Sequence, residues 1–274
     1  MTFAIKFWGV RGSVACPSPS HIGFGGNTSC VEIFTDTQTI IFDAGTGIRM
    51  LGLDLLERQI THANILLSHT HWDHINGFPF FSPAFVEGNH FTVRAGHIDV
   101  EDGGIKQVFA GQMAQPFFPV PLEAMRGTLH FENFKAGEQF QIEDITIKTA
   151  PLNHPNGATG YRVEYQGKSA CYITDTEHTP GVLDKNILDL IQGADLVIYD
   201  STYTEEEFPS KIGWGHSTWE QGIKLCEKAG AHMLAVFHHD PTHDDEFMEH
   251  LEEEVRRRWS GATVAREGMT LRLL

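Results

Sequence analysis

The chain has 274 residues, 41% of them hydrophobic, which suffices for one large domain with a packed core. Its formal net charge of −16 argues against a broad phosphate-backbone surface, because such a surface needs clustered Lys and Arg. No leader pattern, membrane-length apolar run or Pro/Gly/Ser linker interrupts the sequence, so a soluble, cytoplasmic protein with one domain over residues 1–274 and no membrane partner is expected.

In chain order, strands are predicted at 4–10, 30–35 and 39–42. Helical spacing of Ile48, Leu51, Leu55 and Leu56 follows. An apolar strand at 63–67 ends at Ser68. The middle, 77–127, is less regular and holds the aromatic stretches FPFFSPAF and QPFFPVP. Next come strands at 139–150, 160–165 and 169–173, a helix at 182–191 and a strand at 196–199. A helix at 218–228, a strand at 232–237, a helix at 244–258 and a closing strand pair within 263–273 complete the chain. Arg256, Arg257 and Arg258 end the last helix, where cations complement its dipole. Two packed sheets flanked by helices fit this order. Cys16, Cys30, Cys171 and Cys226 form no C-x-x-C pair and read as free thiols, with Cys30 and Cys171 as small core residues.

The segment from Ser68 to His74 reads S-H-T-H-W-D-H. Four metal-capable side chains thus follow a buried strand within six residues. In an extended loop His69 and His71 point the same way, and Asp73 and His74 turn to the other side. One short segment can therefore serve two adjacent metal ions. Six further positions share one feature, a His or Asp at the end of an apolar strand: Asp43, His154, Asp175, Asp200, His216 and His238. Strand ends held by a packed scaffold are where sites usually lie.

In these residues the chain resembles the metallo-β-lactamase-fold hydrolases over nearly its full length. The resemblance implies an α+β fold, a four-layer αββα sandwich, with two divalent metal ions along one edge. By that likeness His69, His71 and His154 hold one metal, Asp73, His74 and His238 hold the second, and Asp175 bridges both. Strand alternation leaves His238 and His239 equivalent; the likeness favours His238. Asp43 matches a buried aspartate beneath the metal loop, suited to accept the second N–H of a ligand imidazole. An Asx-turn before Gly45 is compatible with the same residue. Zinc is the first choice of metal, with manganese or iron accommodated by the same ligands.

Within the superfamily the chain is closer to the RNase Z and cyclic-phosphodiesterase branch. Gly9-Val10-Arg11-Gly12-Ser13 with Gly25-Gly26-Asn27-Thr28-Ser29, the strand ending in Asp200, and Gly215-His216-Ser217-Thr218 carry that likeness. It implies that His216 protonates the leaving oxygen or binds a phosphoryl oxygen, with Asp200 holding its imidazole. Asp73 is counted with them at the catalytic centre. Only 20 residues separate His154 from Asp175, too few for the tRNA-gripping arm of bacterial RNase Z enzymes. The expected activity is therefore hydrolysis of a small phosphodiester, such as a cyclic nucleotide or cyclic sugar phosphate, by a metal-bridging hydroxide. No extended nucleic acid is expected as a partner; a homodimer is compatible with the likeness. A carbonyl hydrolase for a lactone, thioester or β-lactam needs the same metals without the His216–Asp200 pair, and an RNA-processing nuclease is the third reading. Asn27 and Thr28 either approach a phosphate or only make a turn. Phe78, Phe80, Phe81, Phe85, Phe117 and Phe118 stack a base or fill the core. Trp72 and Trp214 are placed to exclude water. His21 approaches the site from the loop after Pro17, and His178, His243 and His250 read as solvated.

Overall fold

The computed structural model describes residues 1–98 and 103–274. Alternating apolar residues build the first sheet. β1 (Phe3–Gly9), β2 (Cys30–Thr35) and β3 (Thr39–Phe42) pair antiparallel. β4 (His62–Leu67), β5 (His90–Ala95) and β6 (Thr128–Asn133) then add in parallel. The second sheet starts with the meander β7 (Gln139–Ile142), β8 (Ile145–Leu152), β9 (Ala158–Tyr165) and β10 (Lys168–Ile173). It continues in parallel through β11 (Leu196–Asp200), β12 (Leu234–Phe237) and β13 (Ala262–Val264). The chain returns to the first sheet with β14 (Thr270–Arg272), beside β1.

The two seven-stranded sheets face each other across one apolar layer. Phe3, Phe7 and Phe42 meet Tyr161, Tyr172 and Phe237 there, with the Phe42 and Tyr172 rings stacked at 4.9 Å. Helices cover both outer faces. α1 (Ile48–Glu57) and α3 (Gly104–Gln112) bury Leu51, Leu55, Ile105 and Phe109 on the first sheet. α4 (Lys185–Ile191), α5 (Trp219–Ala229) and α6 (Asp245–Arg258) bury Ile187, Ile223, Leu251 and Val255 on the second. A single turn, α2 (Trp72–Ile75), lies between α1 and α3. The result is the αββα order of layers. Asp184, Thr218 and Asp244 cap the N-termini of α4, α5 and α6, each accepting backbone N–H groups. No described helix is long and apolar enough to cross a membrane.

Several elements differ from expectation. The 139–150 run is a hairpin, because Glu143 adopts φ 51° and turns the chain between β7 and β8. The helix expected from residue 182 starts at Lys185, where Asp184 provides the cap. The closing strands do not pair with each other: β13 joins β12 and β14 joins β1, one in each sheet. The irregular middle contains β5 and α3, and β6 follows directly after it. β5 alternates buried Phe91, Val93 and Ala95 with half-buried Thr92 and Arg94. β6 is an edge strand with little burial, and α3 carries glycine at both its second-to-last and first positions, so neither has a strong apolar pattern.

Candidate metal centre

The chemistry-bearing residues gather where strands of both sheets end. Asp43 follows β3, Ser68 follows β4, His154 follows β8, Asp175 follows β10, Asp200 ends β11 and His238 follows β12. Three of them, Asp43 (φ 59°), Asp175 (φ 55°) and His238 (φ 64°), hold the left-handed backbone conformation. That conformation costs a non-glycine residue about 1–3 kcal/mol, and it persists where the surroundings over-determine it.

Two triads result. Donor atoms of His69, His71 and His154 lie within 4.8 Å of one another, and so do those of Asp73, His74 and His238. Asp175 stands between them. Its Oδ1 is 3.6 Å from His69 Nε2 and 3.7 Å from His154 Nε2, and its Oδ2 is 3.2 Å from His74 Nε2 and 3.3 Å from His238 Nε2. One carboxylate thus offers an oxygen to each triad. His69 Nε2 is buried and has no hydrogen-bond partner among the described residues. An enclosed polar atom left unpaired is costly, and a cation among these nitrogens and oxygens removes that cost. The donor set, imidazole and carboxylate, suits zinc and its neighbours.

The donors are fixed from behind. Asp43 lies buried beneath the loop and accepts from Ser68 N (2.7 Å), Ser68 Oγ (2.8 Å) and Tyr172 OH (2.8 Å). Its Oδ2 also pairs with His74 Nδ1 at 2.8 Å, leaving Nε2 for the triad. Thr202 Oγ1 lies 3.0 Å from His238 Nδ1, and Ser13 N donates to Asp73 Oδ2 at 2.8 Å. His154 Nδ1 meets the Gly215 carbonyl at 2.7 Å. A Cβ on Gly215 would come 2.4 Å from that same Nδ1, so the approach requires glycine there, at φ 88°. Burial pushes the Asp175 carboxyl upward, but His238, His74 and His69 hold it well below the usual carboxylate range. Burial, and secondarily His74, keeps His69 well below the usual imidazole value. A buried network of this kind is set to stay anionic at its carboxylates.

Beside the triads stands His216, at the turn that opens α5. Its Nδ1 is 3.0 Å from Asp200 Oδ2, and its ring lies 5.0 Å from that of His238 and 5.4 Å from that of His154. Burial lowers its pKa, but Asp200, with Asp175 and Asp73, outweighs that and raises it to about 9. Asp200 is itself held by Thr176 N, Thr202 N and Thr202 Oγ1. His216 also falls within 4.8 Å groupings with His154 and Asp175, and with Asp200 and His238.

Other expected contributors sit elsewhere. His239 points away from the centre, with Nε2 2.9 Å from the Ala265 carbonyl and its ring against Phe24. Asn27 is engaged by Glu267, and Thr28 by Thr46, so both brace loops. Phe78 and Phe81 are core; Phe80 and Phe117 are exposed; Phe85 and Phe118 are partly buried. Trp72 and Trp214 are 83% and 61% exposed. His21 is tied to Ser18 and the Pro241 carbonyl. His250 is exposed, but His243 is buried against Glu207 and His178 bonds Ser217 while stacking on Phe208.

Among the residues near the centre that no sequence motif marks are His97 and Glu177. His97 follows β5, has its Nε2 3.2 Å from Thr70 Oγ1 and its ring 6.4 Å from that of His69. It shows the same feature as the others, a histidine after an apolar strand, inside the stretch that read as irregular. Glu177 accepts from Gly213 N (2.7 Å) and Gly215 N (2.8 Å), while its own N donates to the Asn153 carbonyl at 2.8 Å. It ties the glycine loop to the turn that carries His154. Only its place two residues after Asp175 hinted at this.

Residues 38–239 match the family model described as the beta-lactamase superfamily domain. The chain belongs to that superfamily and is a metal-dependent hydrolase with the metallo-β-lactamase fold, on the side of it where the RNase Z proteins lie. A ribonuclease Z of Haloarcula marismortui is 24% identical, with all of this chain and 97% of that protein covered. Among solved structures, the metallo-β-lactamase fold protein YhfI from Bacillus subtilis has a TM-score of 0.75 at 15% identity, covering 98% of both chains. A diphosphatase from the PhnP family has a TM-score of 0.69 at 18% identity, covering 98% of this chain and 97% of that one.

Proposed function

We propose that the chain is a two-metal phosphodiesterase for a small phosphodiester, such as a cyclic nucleotide or a cyclic sugar phosphate, working as one unit over residues 1–274. His69, His71 and His154 would hold one cation, Asp73, His74 and His238 the other, and Asp175 both. Two divalent cations, zinc first and manganese or iron by the same ligands, would supply Lewis acidity toward phosphoryl oxygens and activation of water.

The observation that carries the reading is the His216–Asp200 pair beside the cluster. Asp200 accepts from Nδ1 and keeps that nitrogen protonated, so Nε2 is the atom that gives a proton to a leaving oxygen. An alkoxide leaving from phosphorus needs that proton. Acyl transfer from a lactone or thioester has less use for it. Asp43, Thr202, Ser13 and Glu177 are positioning residues, acting through the groups they hold.

Support for a small substrate comes from two features. The segment between His154 and Asp175 is only the hairpin β9–β10, and the net charge is −16. The similarity to ribonuclease Z keeps RNA as the competing substrate. The test is turnover by metal-depleted protein reconstituted with zinc or manganese. Bis(p-nitrophenyl) phosphate is followed by cyclic mononucleotides, a tRNA precursor and a thioester. Metal-dependent cleavage of the diesters with no tRNA processing is expected. Trimming of the precursor at higher kcat/KM would move the substrate to RNA. Thioester cleavage alone would remove the role of His216.

A further inference from the structure

The H-x-H-x-D-H loop has a second face. His69, His71 and Asp73 contribute donor atoms to the cluster, whereas the residues between them, Thr70 and Trp72, line an adjoining groove of about 530 Å³. Phe80, Phe117 and Phe118 form its wall, and the amides of Asn76 and Gln112 lie in its lining. Trp72 and Phe117 are each 83% exposed and Phe80 is 54% exposed. Phe80 is propped edge-on against Phe118 at 5.7 Å. Gln112 Nε2 donates to the Ile75 carbonyl at 3.0 Å, which fastens α3 to α2 and fixes the groove to the metal loop.

We infer that this groove binds an uncharged, planar ring of the substrate, a nucleobase or its equivalent, while the phosphodiester lies at the cluster. Three observations select that occupant. First, the groove is lined by the two residues that alternate with three of the cluster's donors, so groove and cluster share one loop. Second, none of its lining residues among the described ones carries a charge, although the chain carries 56 charged residues, 20 basic and 36 acidic. It thus discriminates against an anionic group and favours a neutral ring. Third, the lining sets two amide side chains, Asn76 and Gln112, beside the rings of Trp72, Phe80, Phe117 and Phe118. Aromatic faces with a few amides are what stacks a base and reads its edge. The volume lies within the range of small-ligand pockets.

The inference deepens the phosphodiesterase reading and rests on it for the substrate's phosphate. The test keeps the leaving group constant. Thymidine 5′-(p-nitrophenyl phosphate) is compared with methyl p-nitrophenyl phosphate, using wild type, Trp72→Ala and Phe117→Ala. Both side chains are exposed, so their truncation leaves the core intact. Wild type is expected to prefer the nucleoside ester by kcat/KM, and each variant to lose at least about tenfold of that ratio, chiefly through KM, as stacking energies imply. Equal ratios in all three proteins would overturn the inference.

A binding arm separates its failure from failure of the phosphodiesterase reading. Adenosine, which has no phosphate, is titrated against tryptophan fluorescence in wild type, Phe117→Ala and Trp72→Ala, the last of which separates the Trp72 signal from those of the other four tryptophans. Saturable quenching that weakens in Phe117→Ala supports the groove even if neither diester turns over. No quenching overturns it. So does a dimer in sedimentation that Phe117→Ala dissociates while the nucleoside preference is unchanged, because the groove is then an interface between two copies.

Discussion

Asp73, His74 and His238 make up the enclosed half of the centre, whereas His69, His71 and His154 make up the half that opens toward solvent through His71. In the enclosed half every member is gripped a second time, by Ser13, Asp43 or Thr202. In the open half His69 has Ser68 Oγ at 3.1 Å and His154 leans on a backbone carbonyl in a glycine loop. One half is thus preorganised by the buried Asp43 and Thr202 side chains with the Ser13 N–H, and the other by a turn that Glu177 braces. Preorganised ligands bind a cation more tightly and release it more slowly. The enclosed half is therefore expected to be the higher-affinity site.

The largest effect is expected where the halves meet. Asp175→Ala should lose both cations and all turnover, read as metal content after desalting alongside hydrolysis. Retention of one cation at wild-type affinity would assign Asp175 to a single half. Next comes chelation of wild type. Metal release should be biphasic, with activity lost in the faster phase; a single phase would erase the difference between the halves.

A smaller effect is expected from Asp43→Asn. It keeps the shape but weakens acceptance from His74 Nδ1, so the slower-releasing cation should bind roughly 10–100-fold more weakly while the faster one is unaffected. Equal weakening of both would show that Asp43 supports the whole loop rather than one ligand. Smallest is Glu177→Ala, which removes the acceptor of two backbone N–H groups behind His154. Roughly tenfold or less should be lost, the low end of what such supports cost, confined to the faster-releasing cation, because Glu177 acts on His154 only through the backbone of the glycine loop. Glu177→Gln, which keeps an acceptor oxygen, should restore most of it. No recovery with Gln would assign the effect to the charge.

The two halves also differ in how far the sequence revealed them. His69, His71, Asp73 and His74 are contiguous, and alternation in a loop after an apolar strand is a local property. His154, Asp175 and His238 come from three separate strand ends, and only a resemblance to a family joined them into triads. His238 could not be told from His239 by alternation, because left-handed backbone at His238 breaks the strand's rhythm there. The supports were less legible still. Ser13, Thr202, Tyr172 and Glu177 hold the centre through isolated hydrogen bonds across long sequence separations, which leave no periodic trace. The sheets were legible where apolar runs were continuous. They were missed at β5 and β6, where Arg94, His130 and Glu132 interrupt the pattern. The joining of β13 and β14 to different sheets depends on the whole topology, and no local pattern encodes it.

The central claim is that His216 gives a proton to the oxygen leaving from phosphorus. Its most direct measurement compares His216→Ala with wild type on methyl p-nitrophenyl phosphate and methyl phenyl phosphate, with metal content checked in both proteins. The deficit should grow with the basicity of the leaving group, reaching ~10²–10⁴-fold for the phenyl ester while both cations are retained. An equal deficit on the two esters, or none, would contradict proton donation by His216.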